Sequence, residues 1–185
     1  MKLLGLMGVA GSGKSTAAAH LVAEHGFVEL SMADPLKDLC SDAFGWDRER
    51  LVELGYKEEQ DPDLPTGWTR RRVLQFVGTE CFREIDPDHW VKAVLRKIDE
   101  VWAENENQPV VISDVRFPNE ISLIHGNDGI IIRVERRDFE SPAPAHASEL
   151  AWRWAKPDYV MISEFGVPHV QASTDRMIKV MFPNG

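Results

Sequence analysis

The sequence predicts an α/β fold, a doubly wound five-stranded parallel sheet flanked by helices, and three observations carry that prediction. Five short apolar runs, at residues 3–7, 27–31, 110–112, 130–134 and 159–162, have the length and β-branched content of strands buried on both faces. Segments with helical periodicity or helix start and stop signals separate them, as crossovers between parallel strands require. A glycine-rich turn lies between the first run and the first helical segment, where such sheets place ligands, beyond the carboxyl ends of the strands.

Leu3 to Met7 ends in glycine, and the alanine-rich stretch Ser15 to Glu24 that follows reads as a helix stopped by Gly26. After the second strand, Asp34-Pro35 supplies an N-cap and first-turn proline for a helix toward Phe44. Between Gly45 and Gly67 the sequence is acidic, tryptophan-punctuated and proline-containing, and Glu58 to Asp63 offers little to bury, which predicts a mobile flap. Thr69 can cap a helix continuing to about Arg83, and Asp86-Pro87 starts another through Trp90, Val94, Ile98 and Val101. The chain shows no repeat or low-complexity tract, so residues 1–185 form one domain, with an insertion over about 34–105 and a short lid over about 136–149.

A chain of 185 residues with 43% hydrophobic content can bury a sizeable core. Its 21 Lys and Arg against 30 Asp and Glu give a formal charge of -9, a field that repels polyphosphate backbones and disfavours a nucleic-acid polymer as partner. Basic residues still gather at Arg70 to Arg72 and at Arg133, Arg136 and Arg137, either to neutralise phosphates or as solvated faces. Cys40 and Cys81 have neither metal-ligand nor disulfide-framework spacing and read as buried thiols of a reducing cytoplasm. The amino-terminal apolar run is too short for a signal segment or a membrane span, so a cytoplasmic location without membrane contact is expected.

Gly8-Val9-Ala10-Gly11-Ser12-Gly13-Lys14-Ser15 fits the pattern G-x-x-x-x-G-K-S. Glycines let the backbone turn its N–H groups onto phosphate oxygens, and the following helix adds its positive end. The fold expected is therefore that of a P-loop NTPase, with Gly8, Ala10, Gly11, Ser12, Gly13, Lys14, Ser15 and Thr16 contacting ATP. Lys14 is placed to bridge the β- and γ-phosphates and the Ser15 hydroxyl to ligate Mg2+. No Asn-Lys-x-Asp segment reads guanine and the chain is short for a motor, which leaves a small-molecule kinase as the leading class.

With that loop in place, Ser31-Met32-Ala33-Asp34-Pro35-Leu36-Lys37 and Ile112-Ser113-Asp114-Val115-Arg116-Phe117-Pro118-Asn119-Glu120 resemble segments of the tailed-phage deoxynucleoside monophosphate kinases. Arg71, Leu74, Gln75, Gly78-Thr79-Glu80 and Arg83, then Trp90 and His146-Ala147-Ser148-Glu149, follow in the order that family shows, and the likeness covers nearly the whole chain. It implies transfer of the ATP γ-phosphate to a deoxynucleoside 5′-monophosphate, with the monophosphate as substrate partner; monomer and homodimer both stay open. The string Met161-Ile162-Ser163-Glu164-Phe165-Gly166 departs from the family, which has an asparagine after the fifth strand, so adenine-side contacts there do not carry over.

Within this reading Asp114 supplies a second metal ligand at the end of the third strand, and Arg116 turns to the acceptor phosphate; alternatively the two pair and cap the next helix. Arg71, Gln75, Gly78-Thr79 and Arg83 fall on one side of a helix, where guanidinia suit a monophosphate and an amide a base edge, or form a solvated stripe. Asp34 either orients the acceptor as a catalytic group or only caps its helix, and Lys37, Asn119 and Glu120 complete the substrate-side set. Arg136 as the catalytic lid arginine and Arg137 as an ATP contact precede a lid containing Ser141-Pro142-Ala143-Pro144; which of the two arginines acts stays open, and the alternative is an ordinary surface loop. His146 and Ser148 support that lid or begin a helix, with no catalytic triad implied. Trp46, Trp68, Trp90, Trp152 and Trp154 are stacking surfaces or core residues, with Trp90 the preferred base-stacking candidate. A kinase of another small metabolite, such as dephospho-coenzyme A, and a non-catalytic ATP-sensing module remain as alternatives.

Overall fold

A computed structural model describes residues 3–137 and 155–183. It divides into two compact units, one of Met1–Ser31 with Leu95–Gly185 and one of Met32–Val94.

The first unit carries the sheet. Strands β1 (Leu3–Met7), β2 (Val28–Leu30), β3 (Val110–Ile112), β4 (Ile130–Arg136) and β5 (Tyr159–Ser163) lie in the order β2-β3-β1-β4-β5. All four neighbouring pairs are parallel, with Leu4 opposite both Val111 and Ile130, and Arg136 opposite Ser163. Side chains alternate along β1, so Leu4 and Leu6 pack with Ala17, Ala18 and Leu21 of α1 (Lys14–His25) and with Val170 and Met177 of α8 (Val167–Met181). Gly5 faces the opposite side, where α7 (Pro118–Gly126) lies; a Cβ there would come 2.8 Å from Ile131 Cδ1 and 3.1 Å from Ile124 Cγ1. Helices therefore cover both faces, and the strands read as unbroken apolar runs because neither face meets water.

The second unit is helical. It contains α2 (Asp34–Phe44), a 3₁₀ turn at Arg50–Val52, α3 (Leu54–Glu58), α4 (Arg70–Gln75), a π-helical stretch at Phe76–Cys81 and α5 (Phe82–Ile85). Helix α6 (His89–Glu104) begins in it and ends in the first unit.

Three expectations need correcting here. The segment read as a mobile flap is packed: Trp46, Leu51 and Tyr56 are buried with Cys40 and Val73, and Leu64 and Trp68 pack against them. Its acidic residues do find partners, because Arg70 is buried between the Asp61 carboxylate at 3.2 Å, the Tyr56 carbonyl and the Tyr56 ring face at 4.0 Å. The helix capped by Thr69, whose Oγ1 accepts from Arg72 N at 3.2 Å, does not run in one α phase to Arg83. At its far end Phe82 N donates to Val77 O, five residues back, the wider spacing of a π turn. Burial pushes the Cys40 thiol up to about 11, whereas Cys81 is exposed.

Candidate active site

The carboxyl ends of the five strands of the first unit supply the site's parts. After β1, Gly8, Gly11 and Gly13 all take positive φ, at 143°, 79° and 104°. A Cβ on Gly8 would run into the Val134 carbonyl oxygen, and one on Gly13 would combine a tight 3.1 Å approach to Val170 Cγ2 with a φ that strains any side chain. Gly13 precedes Lys14, the first residue of α1, so the loop amides and the helix amino terminus share one concavity. Lys14 Nζ donates to the carbonyls of Gly8 and Val9, both at 2.8 Å, which folds the ammonium over its own loop. Ser12 is fully buried, and its Oγ has no hydrogen-bond partner among the described residues.

A cavity of about 320 Å3 opens at this loop, lined by residues 11–16, Arg136, Phe165 and Gly166 ahead of α8, and Val167 and Val170 in its first turn. Arg136 closes β4, and its guanidinium carbon lies 5.2 Å from the centroid of the Phe165 ring, which is 79% exposed. Arg136 and Lys14 thus border one cavity. Arg137 does not line this cavity: its amide donates to Ser163 O at 2.8 Å and its guanidinium stands 3.6 Å from Glu164, beside a separate depression.

Asp114 follows β3, the neighbour of β1, and its Oδ2 accepts from Ser31 Oγ at 2.7 Å. Ser31, which the sequence marks only as part of a motif, orients this carboxylate. Arg116 exposes its side chain, but Glu120 cannot serve a substrate as the sequence reading had it. It is 1% exposed, and its Oε2 accepts from the backbone amides of Arg116 at 2.6 Å and Phe117 at 3.1 Å. The carboxylate is consumed in starting α7 and shaping the turn that presents Arg116. Asn119 Oδ1 accepts from the Glu120 amide at 3.1 Å, the same local task.

In the second unit, Asp34 does not cap α2. Ala33 holds the N-cap position, and Asp34, in the first turn, binds Arg48 Nη2 at 2.9 Å and Lys37 Nζ at 3.3 Å. Arg48 also reaches Asp38 Oδ1 at 2.5 Å; its partial burial lowers its pKa, and the hydrogen bonds to Asp38 and Asp34 more than offset this, leaving it raised. Nothing in the sequence marked Arg48, because it sits in the segment read as a flap. Arg71 pairs with Glu58, and Arg83 Nη1 donates to Pro87 O at 3.4 Å, while Gln75 shares the α4 face of Arg71. Trp90 is no stacking surface: it is 4% exposed, and its Nε1 donates to Gly78 O at 2.8 Å. Trp46 is buried as well, and Trp68 packs on its cluster. The lid residues 141–144, His146, Ser148, Glu149, Trp152 and Trp154 lie outside the described residues.

Comparison with known proteins gives the family. Residues 56–170 match the family described as deoxynucleotide monophosphate kinase. A protein of Acanthamoeba polyphaga mimivirus, provisionally described as a deoxynucleotide monophosphate kinase, is 36% identical over 173 residues, covering 88% of this chain and 89% of that protein. The chain belongs to the deoxynucleotide monophosphate kinase family. This kinase is accordingly a phosphotransferase of the nucleotide-kinase kind. Its fold is shared with the dephospho-CoA kinase of Campylobacter jejuni, at TM-score 0.55 and 14% identity over 100% of both chains. The Thermus thermophilus protein TT1252 superposes at TM-score 0.53 and 18% identity over 97% of each. Among the described residues of the kinase, no helix is long and apolar enough to cross a membrane.

Proposed function

We propose that the protein transfers the γ-phosphoryl group of ATP, bound with Mg2+, to a deoxynucleoside 5′-monophosphate, giving the diphosphate and ADP. The observation that carries this is the phosphate loop with its convergent cation: three positive-φ glycines, an α1 amino terminus and the Lys14 ammonium bordering one cavity with Arg136.

The residues fit the nucleotide and its metal. The buried Ser12 Oγ lacks a partner among the described residues, Gly8 leaves a cradle that a Cβ would fill, and the Ser15 hydroxyl and the Asp114 carboxylate are oxygen donors of the kind Mg2+ prefers. Ser15 and Asp114, the latter steadied by Ser31, would hold the ion, which supplies charge neutralisation between the β- and γ-phosphates.

Lys14 exchanges its two loop carbonyls for phosphate oxygens, and the amides of Gly11, Ser12, Gly13, Lys14 and Thr16, with the Ala10 backbone, hold the chain of phosphates straight. Arg136 neutralises charge that grows on the equatorial oxygens in transfer. On the acceptor side, Arg71 and Arg83 are the guanidinia for the monophosphate, Gln75 the amide for a base edge, and Arg116 an exposed cation beside α7. The Asp34–Arg48–Lys37 cluster keeps a carboxylate and two cations together for the acceptor. The acceptor phosphate oxygen attacks the γ-phosphorus in line, the bond to the β,γ-bridging oxygen breaks, and no protein group needs to bond covalently to the transferred unit.

An ADP-coupled assay with ATP, Mg2+ and each of the four common deoxynucleoside monophosphates tests the assignment. Turnover with at least one is expected. No turnover with any, alongside phosphorylation of dephospho-coenzyme A or another hydroxylated metabolite, would replace this reading, and ATP binding with no consumption would favour a sensing module.

A further inference from the structure

Away from the nucleotide cavity, His20 and His25 of α1 and Asp175 of α8 converge on one point. Both Nε2 atoms lie 2.8 Å from the same oxygen, Asp175 Oδ1, and the three ligand atoms all lie within 4.8 Å of one another. The imidazoles meet edge to face with centroids 5.7 Å apart, so neither ring blocks the other's nitrogen. The side chains are 10%, 24% and 42% exposed in the order His20, His25, Asp175, so the imidazoles are sheltered and the carboxylate is open to water.

We propose that these three residues form a Zn2+ site that clamps α1 to α8. Two imidazole nitrogens and one carboxylate oxygen are a donor set suited to zinc, whereas Mg2+ and Ca2+ favour oxygen-only shells. Ligand atoms of a tetrahedral ion sit about 3.3 Å apart when bonds are near 2.0–2.1 Å, so each His–Asp separation has to widen by only roughly 0.5 Å. The two histidines adopt the Nδ1–H tautomer on ligation, turning both Nε2 lone pairs to the ion, and water takes the fourth position from the open side. The clamp joins the helix that starts at Lys14 to the helix whose first turn, through Val167 and Val170, lines the nucleotide cavity. Zinc bound there therefore stiffens the frame of the phosphate loop without touching the nucleotide.

The test is a titration of the full chain, first stripped with chelator, with Zn2+ followed by calorimetry and with Co2+ followed by its visible absorption, in the absence of nucleotide. One ion per chain is expected, with the intense bands of four-coordinate cobalt. The thermal midpoint should rise by about 5 °C or more at a Zn2+ concentration one hundred times its dissociation constant, with no comparable rise from Mg2+. His25→Gln and Asp175→Asn, which keep polar side chains of similar shape, should each weaken binding at least tenfold. Absence of saturable 1:1 binding, or binding that both variants leave unchanged, overturns the site and leaves the trio as a hydrogen-bonded clasp.

Discussion

Replacing Lys14 by methionine separates its service to the loop from its service to a phosphate. In the structure the ammonium donates two 2.8 Å hydrogen bonds to the Gly8 and Val9 carbonyls, both partly buried. Water can reach those carbonyls once the ammonium leaves, so the net loss is about 1–2 kcal/mol, a fall of roughly 2–8 °C in unfolding midpoint for a chain of this size. The loss in the transition state is larger. Removing one preorganised donor from developing phosphoryl charge costs about 2.7–4 kcal/mol, or roughly 10²–10³ in kcat, and here a full positive charge goes with it. Circular dichroism melts and the ADP-coupled assay, run on one preparation, give both quantities. A folded Lys14→Met protein with kcat/KM within fivefold of the parent would refute the role assigned to Lys14, whatever its melting temperature.

Glu120→Ala removes the buried carboxylate that accepts from two backbone amides, so the midpoint should fall by about 5–10 °C while KM for the monophosphate stays within twofold below the transition; a KM increase without a stability change would return Glu120 to the substrate. Phe165→Ala, at a ring 79% exposed beside Arg136, should leave stability within about 0.5 kcal/mol and raise KM for ATP several-fold without changing that for the monophosphate; equal effects on both would contradict its placement at the nucleotide cavity. Asp158, half-exposed, pays desolvation but accepts from the Ile131 amide at 2.7 Å and from His125 at 2.9 Å, and these bonds hold its pKa below the usual carboxylate value. A depressed carboxylate stabilises the fold above its unfolded pKa of 3.8 and loses that contribution as pH falls through the lower folded value. Melts between pH 6 and 3 should show the parent losing more stability than Asp158→Asn, and parallel curves would sink the linkage.

The strands were legible because burial on both faces of a parallel sheet writes itself as unbroken apolar runs, as in Val110–Ile112. The phosphate loop was legible because its glycines answer a backbone geometry that other residues resist, as the Gly8 φ of 143° shows. What stayed hidden depended on pairing across sequence distance. Asp34-Pro35 carries the local signature of a cap, yet Arg48, fourteen residues on, draws the carboxylate sideways. The acidic stretch before Thr69 looks unburiable until Arg70 reaches Asp61 and Glu59. The π turn at Phe76–Cys81 leaves no trace in apolar periodicity, so the segment from Thr69 to Arg83 reads as one α-helix although its backbone changes phase part-way. Trp90 fitted a stacking role by residue type alone, and only its 4% exposure reveals a packing residue.

The central claim is tested most directly by following the phosphorus itself. With γ-labelled ATP, Mg2+ and an accepted deoxynucleoside monophosphate, the label should appear as the β-phosphate of the deoxynucleoside diphosphate, one for each ADP formed. Label recovered only as orthophosphate, or retained on ATP while the nucleotide stays bound, would contradict it.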